Sequence, residues 1–303
     1  MEAAFKADLT AVLVAVHPAP DGRGVLPVVL TLADGALPAG PLAPEHRSLQ
    51  AGLRSWVEHT TRHPLGHVEQ LYTFADRDRT REGGGDPVRA ISISYLALTR
   101  TTPEETGWVD WYAHFPWEDQ RGEAGRRLLA ALSARLDAWC REAPDALRET
   151  RLKRVSGAFS AGDWQDELVL QRYELLFEAG LVPEAGGALF EPAGRPMPRD
   201  HRRILATGIA RLRAKIKYRP VFFELLPERF TFLELQDTVE ALSGVRLHKP
   251  NFRRLIAQQN LIEDTGQISA DRPGRPAKLL RFRREILEAR AIAGTKLPLL
   301  PTR

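Results

Sequence analysis

Only one of the 303 residues is a cysteine, Cys140, so no intramolecular disulfide can form and the thiolates are too few for a structural zinc site. Packing alone must hold the fold. No apolar run approaches the roughly 18 residues of a membrane span, and the opening MEAAFKADLT lacks the basic, apolar, small-residue order of a secretion signal. A cytoplasmic protein without a membrane partner is the expectation. The sequence also has no Walker loop, no G-x-S-x-G elbow and no paired thiols, which leaves ordinary nucleophilic catalysis without a visible carrier.

What is present is ordinary globular composition over a length that suits two domains better than one. Charge divides the chain. Residues 1–194 carry a formal −8 and residues 195–303 a formal +12. A basic half attached to an acidic body points to a polyanionic partner, of which nucleic acid is the commonest. The change of sign coincides with the Pro- and Gly-rich tract PEAGGALFEPAGRPMPRD, so the division is placed between 1–198 and 199–303.

In the first half, LTAVLVAV and VLPVVLTL are strand-length apolar runs separated by the turn PAPDGRG, which predicts a β-hairpin. Leu49, Leu53, Trp56 and Val57 then fall on one face of a helix beginning near Ser48. HVEQLYTF and VRAISISYLALT are β-rich, and WVDWYAHF is expected to be a further strand. Helices are expected over Glu123–Arg141 and Trp164–Ala179. The fold class is α+β.

The basic half opens with a helix expected over Asp200–Lys217, a candidate connector of the two parts. In TFLELQDTVEALSG, Thr231 and Glu234 form a Thr-x-x-Glu capping box and Gly244 provides the stop. HKPNFRRLIAQQN supplies a second helix, with Phe252, Leu255 and Ile256 inward and Asn251, Arg254 and Gln258 at i, i+3 and i+7 on another face. LIEDT and AKLLRF follow as two short strands. Helix, turn, helix and hairpin is the winged helix-turn-helix order. Lys249, Asn251, Arg253, Arg254 and Gln258 suit base edges, and Arg272, Arg275 and Lys278 suit a basic wing on phosphates or the minor groove.

The string KYRPVFFELLPERFTFLELQDTVEALSG, continued by HKPNFRRLIAQQNLIEDTG and GRPAKLLRF, resembles the C-terminal domain of the Nudix-related transcriptional regulators of bacterial NAD metabolism, the NrtR/NadQ-like proteins. VEQLYTFADRDR followed by ISISYLAL resembles their Nudix domain, whereas residues 101–198 depart from the family pattern. The resemblance implies an N-terminal Nudix-like mixed α/β sandwich ahead of the winged helix. It also implies a repressor of NAD biosynthesis or salvage genes on a double-stranded DNA operator, with a nucleotide effector such as NAD, ADP-ribose or ATP. A homodimer is expected because one short recognition helix reads only a few base pairs, and no cofactor is expected to be required.

Hydrolysis by a Nudix domain needs Gly-x5-Glu-x7-Arg-Glu-U-x-Glu-Glu-x-Gly-U, with U bulky and apolar. Starting that frame at Gly40 puts His46 at the first Glu, Arg54 at the Arg, Ser55 at the next Glu, Trp56 at U, Glu58 and His59 at the Glu pair, and Thr61 at the second Gly. A hard divalent cation on a diphosphate needs several oxygen ligands, and Glu58 alone does not provide them. The expectation is therefore a sensor and not an enzyme, the alternative being an active hydrolase of ADP-ribose or a related dinucleotide.

Arg54, Glu58, Tyr72, Phe74, Asp76 and Arg77 are the candidate effector residues, with Arg77 suited to a diphosphate, although Glu58 reads better as an i, i+4 partner of Arg54. His59, His63 and His67 are spaced by four near His46, but Pro64 ends the helix that would align them, so no metal site is expected. Trp108, Trp111, Tyr112, Phe115 and Trp117 could stack on an adenine or nicotinamide ring, although core packing is the commoner use of such a cluster.

Overall fold

A computed structural model describes residues 5–22, 24–43, 47–61, 65–75, 89–102, 104–160, 162–187, 193–269, 276–283 and 285. The predicted hairpin is β1 (Phe5–Pro18) and β2 (Val25–Leu30), antiparallel in the register Val14 opposite Val29. Residues 9–15 of β1 are buried on both faces, as suits a central strand, and β1 pairs in parallel with β5 (Arg89–Leu98). With β3 (Ala39–Pro41), β4 (Val68–Phe74) and β6 (Trp108–Asp110) they form a six-stranded mixed sheet of order β4-β5-β1-β2-β6, in which β3 pairs with the start of β1.

Each face of this sheet is covered by helix. On one side α1 (Leu49–Thr61) packs Leu53 and Val57 against Leu9, Ala11, Leu13, Tyr95 and Ala97, and the Ser48 hydroxyl accepts a hydrogen bond from the Ala51 amide at its start. On the other side α5 (His201–Ile216) packs Ile204, Leu205, Ile209 and Leu212 over Val12, Val14, Leu96 and Leu98. Gly208 lets α5 approach closely, since a Cβ there would lie 2.9 Å from Val12 Cγ1. Helix, sheet and helix make the mixed sandwich that was expected.

The intervening segment corrects two readings. WVDWYAHF is not one strand: after β6 the Asp110 carboxylate accepts from the Tyr112 amide at 2.9 Å and caps a 3-10 turn over Trp111–Ala113, and Pro116 starts another over Pro116–Glu118. Its Trp111, Tyr112, Phe115 and Trp117 are buried in the main core, which takes the packing reading of the aromatics. α2 (Glu123–Arg141) lies where predicted, followed by an unpredicted α3 (Asp145–Phe159) and by α4 (Val169–Glu178). α4 begins after Trp164, whose ring instead lies under the Arg172 guanidinium at 3.8 Å.

Beyond α5, a 3-10 turn over Val221–Leu225 leads into β7 (Arg229–Thr231), α6 (Phe232–Ser243), α7 (Lys249–Gln259), β8 (Ile262–Ser269) and β9 (Ala277–Phe282). The small sheet has the order β7-β9-β8, so the two predicted wing strands gain a third partner. One apolar cluster runs from Val12 in the large sheet to Phe252 and Ile256 in α7. Among the described residues no helix is long and apolar enough to cross a membrane.

Two buried histidines tie loops into this core. His201, at the start of α5, accepts the Leu37 amide on Nδ1 at 2.9 Å, and His114 Nδ1 lies 3.0 Å from the Arg195 carbonyl. Burial pushes each imidazole down to about 4, which favours the neutral ring in the folded state. The unfolded chain therefore binds more protons between pH 6.5 and 4, and stability that is full above 6.5 is lost across that window. We expect His201 alone to contribute on the order of 2 kcal/mol of this loss. Thermal melts from pH 7.5 to 4.5 should show it, with a flatter profile in His201→Gln; an equally steep profile in the variant would remove His201 as the cause.

Candidate nucleic-acid interface

The helix pair of the basic half is fixed by local chemistry that the sequence announced. At the start of α6, Thr231 Oγ1 accepts the Glu234 amide at 3.2 Å while Glu234 Oε2 accepts the Thr231 amide at 2.7 Å, the complete capping box. Gly244 closes the helix with φ +74°. The turn into α7 is held by Glu240, which is 3% exposed and accepts from Gln236 Nε2 (2.8 Å), Arg246 Nη1 (2.7 Å) and the Leu247 amide (3.1 Å). Pro250 sits in the first turn of α7, and Asn260 ends it with φ +54°.

Phe252 and Ile256 bury one side of α7, with the Phe252 ring edge-on to Phe232 at 5.5 Å. Lys249, Arg253, Arg254 and Gln258 are exposed on the other side and Asn251 is half-buried at its margin. Arg253 lies over the Phe232 ring at 4.9 Å, which restricts its guanidinium without neutralising it. No Asp or Glu occurs between Lys249 and Asn260. The helix therefore presents cations and amides with no carboxylate of its own to satisfy them.

The wing differs. Lys278 Nζ is 2.6 Å from Asp264 Oδ2 and the Arg281 guanidinium pairs with Glu263 across the β8–β9 ladder, while Arg229 Nη1 donates to Gln267 Oε1 at 2.6 Å. The pairing raises the Lys278 ammonium and lowers the Asp264 carboxyl from their usual ranges. A phosphate approaching Lys278 has to compete with a carboxylate already in place. Arg272 and Arg275 lie outside the described residues.

The candidate effector residues do not gather into one site. Arg54 donates to the Leu65 carbonyl (2.7 Å) and the Gly66 carbonyl (3.0 Å), closing the loop after α1 instead of pairing with Glu58, which is exposed. Phe74 is buried on the opposite, α5 face of the sheet, with the Arg203 guanidinium 5.1 Å from its ring. Tyr72 is 66% exposed on β4, and Asp76 and Arg77 lie outside the described residues. Phe74 and α1, which carries Arg54, therefore lie on opposite sides of the sheet. The frame through Gly40 does correspond to a physical contact, because a Cβ on Gly40 would lie 2.3 Å from the Trp56 indole. Among the described residues no three His, Cys, Asp or Glu side chains are grouped to hold a metal; His59 is exposed, His67 pairs with Glu69, and His46 and His63 are outside those residues.

Sequence reasoning missed the residues that connect this interface to the large sheet. Glu118, Arg172 and Arg213 are each at most 1% exposed, with Arg172 Nε 2.6 Å from Glu118 Oε1 and Arg213 Nη1 2.6 Å from Glu118 Oε2. Burial raises the Glu118 carboxyl, and the two guanidiniums more than reverse this, leaving it below its ordinary range and charged. In the helical pattern nothing distinguishes Arg213 from the basic positions Arg203 and Arg211. Its partner is 95 residues away, and no local signal could reveal it.

Residues 222–282 match the family described as the NrtR DNA-binding winged helix domain. Over 83 residues, 27% of this chain, the sequence is 39% identical to the ADPR responsive transcriptional repressor NtrR of Acinetobacter baylyi, and the match spans 33% of that relative's length. The fold is similar to the crystal structure of Shewanella oneidensis NrtR complexed with a 27mer DNA, at 20% identity and a TM-score of 0.52, covering 93% of this chain and 95% of that one. It is also similar to a MutT/nudix family protein from Enterococcus faecalis, at 16% identity and a TM-score of 0.53, covering 92% and 88%. Residues 222–282 are thus similar to the NrtR DNA-binding winged helix domain, and the chain as a whole shares the fold of these two structures.

Proposed function

We propose that the protein is a DNA-binding transcriptional repressor that senses ADP-ribose through its Nudix-like part. The observation that carries this reading is the exposed face of α7, where Lys249, Arg253, Arg254 and Gln258 stand without a carboxylate on a helix inside the matched winged-helix segment. The Acinetobacter relative's description as ADPR responsive supports ADP-ribose over NAD or ATP. A homodimer is part of the proposal, because one short helix reads only a few base pairs and two copies one helical turn apart reach useful specificity. Control of NAD biosynthesis or salvage genes and a sensor domain without hydrolytic activity belong to it as well. On the effector side, Tyr72 with Asp76 and Arg77 is the proposed contact region.

The test is fluorescence anisotropy with DNA upstream of the protein's own gene, at two salt concentrations, with ADP-ribose, NAD or ATP. Salt-sensitive, sequence-selective binding shifted by ADP-ribose is expected. Absence of selective binding in every condition refutes the proposal and directs attention to hydrolysis of ADP-ribose with Mg²⁺. Arg254→Ala should weaken operator binding by about 1 to 3 kcal/mol through loss of a base contact. Lys278→Ala should lose less, since Asp264 already neutralises that ammonium; equal losses would contradict the assignment of reading to α7.

A further inference from the structure

The C-terminal end of α6 does not face solvent. Its last carbonyls, at the negative end of the helix, lack partners within it and are taken up from outside. Tyr112 Oη donates to the Ala241 carbonyl at 2.7 Å, Arg213 Nε to the Leu242 carbonyl at 2.9 Å, and the Gln120 amide to the Gly244 carbonyl at 2.7 Å. Two of these donors come from the segment following β6 of the large sheet, and the third comes from α5, which lies across that sheet. Arg213 is fixed in turn by the Glu118 carboxylate, the Asp166 carbonyl (3.0 Å) and the Tyr112 oxygen (3.2 Å). Tyr112 is buried and its phenol is pushed up to about 12 by that burial, so it stays protonated and able to donate.

From this geometry we infer that Tyr112, Glu118, Arg172 and Arg213, gripping the Ala241 and Leu242 carbonyls, form a latch that sets the winged helix against the sandwich and transmits effector binding to operator affinity. The inference rests on the proposed function. Apolar contacts slide by small steps at little cost. A dry set of directional hydrogen bonds holds one orientation or is broken, which is the behaviour required of an element with two discrete arrangements. The latch also reaches the sheet along two routes: the turns after β6, an edge strand on β2, and α5, whose far end holds Arg203 over Phe74 of β4. A ligand that shifts either route acts on the position of α6, and through the Glu240-braced turn on α7.

Tyr112→Phe in the full-length protein tests this, because the ring keeps its place in the core and only the hydroxyl, which donates to Ala241 and accepts from Arg213, is lost. Operator Kd is measured by anisotropy with and without ADP-ribose, and ADP-ribose Kd by calorimetry with and without operator DNA. Coupling is reciprocal, so both ratios should fall together, by about fivefold or more towards unity, while ADP-ribose affinity in the absence of DNA is unchanged. A purely structural role would lower the melting temperature and leave the ratio intact, and that result overturns the inference. Arg172→Lys, which keeps a charge on Glu118 without touching α6, provides a second variant and should reduce the ratio in the same direction. A wild-type ratio of one overturns the functional reading itself, and the transmitting role of the latch with it.

Discussion

Glu118→Gln is expected to destabilise the protein by about 3 to 5 kcal/mol, the usual cost of removing one partner from a buried ion pair. The substitution keeps the shape of the side chain, so the loss is electrostatic. Arg172 and Arg213, both 0% exposed, would each retain a charge and lose the carboxylate that pairs with it. Neither can turn to water, because Arg172 also donates to the Ala158 and Gln165 carbonyls and Arg213 to Leu242 and Asp166. Arg213 and Glu118 lie 95 residues apart, so the damage extends to the packing of α5 on the segment after β6. Asp145→Asn provides the contrast: its 2.7 Å pair with Arg148 is exposed, with side chains 92% and 44% accessible, and exposed pairs of this kind contribute less than about 1 kcal/mol. Denaturant titrations of both variants at pH 7 decide the matter. Equal midpoints for Glu118→Gln and Asp145→Asn would show that the buried network contributes no more than a surface pair.

What the sequence revealed of this fold depended on whether the relevant forces were local. The hairpin of β1 and β2, helix α1, and helices α6 and α7 were legible because apolar spacing, a turn rich in Gly and Pro, and the Thr231–Glu234 box act within a few residues. The face of α7 was legible for the same reason. Helix α3 was missed because only Val155, Ala158 and Phe159 of it are buried, all near its end, which leaves no apolar stripe to read. β7, three residues long, carries too little pattern to stand out, and its strand character comes from pairing with β9. Arg54 and Glu58 come from the Gly40 frame, and Tyr72, Phe74, Asp76 and Arg77 from the family resemblance where the chain leaves a strand; neither source carries the sheet face, and α1 packs on one face while Phe74 lies on the other. In the sequence of α5, nothing sets Arg202 and Arg213 apart from the basic positions Arg203 and Arg211. Both are buried, Arg202 among Phe115, Trp117 and Tyr173 and Arg213 on Glu118, so part of the excess positive charge in the second half belongs to the interior.

Gly244→Ala is expected to cost about 3 kcal/mol or more, and to displace α6 from the sandwich where it does not unfold the protein. Two effects combine. Gly244 has φ +74°, a conformation that costs an L side chain about 1 to 2 kcal/mol. A Cβ built there would also lie 2.3 Å from the Glu118 carbonyl oxygen, 2.8 Å from Arg213 Nη2 and 2.9 Å from Tyr112 Oη. The nearest of these is backbone, and the other two are side chains already held by buried hydrogen bonds, so none can move without breaking a contact of the latch. Overpacking of this kind adds about 1 to 3 kcal/mol. Gly266 separates the two terms, since it has nearly the same φ of +75° but nothing within 4 Å of the added carbon. Gly266→Ala should therefore show the conformational cost alone. The difference between the two variants in denaturant midpoint measures how tightly the helix end is seated against Glu118. If the two variants lose the same stability, the seat is loose, and the helix end cannot be the place where the sandwich holds the winged helix.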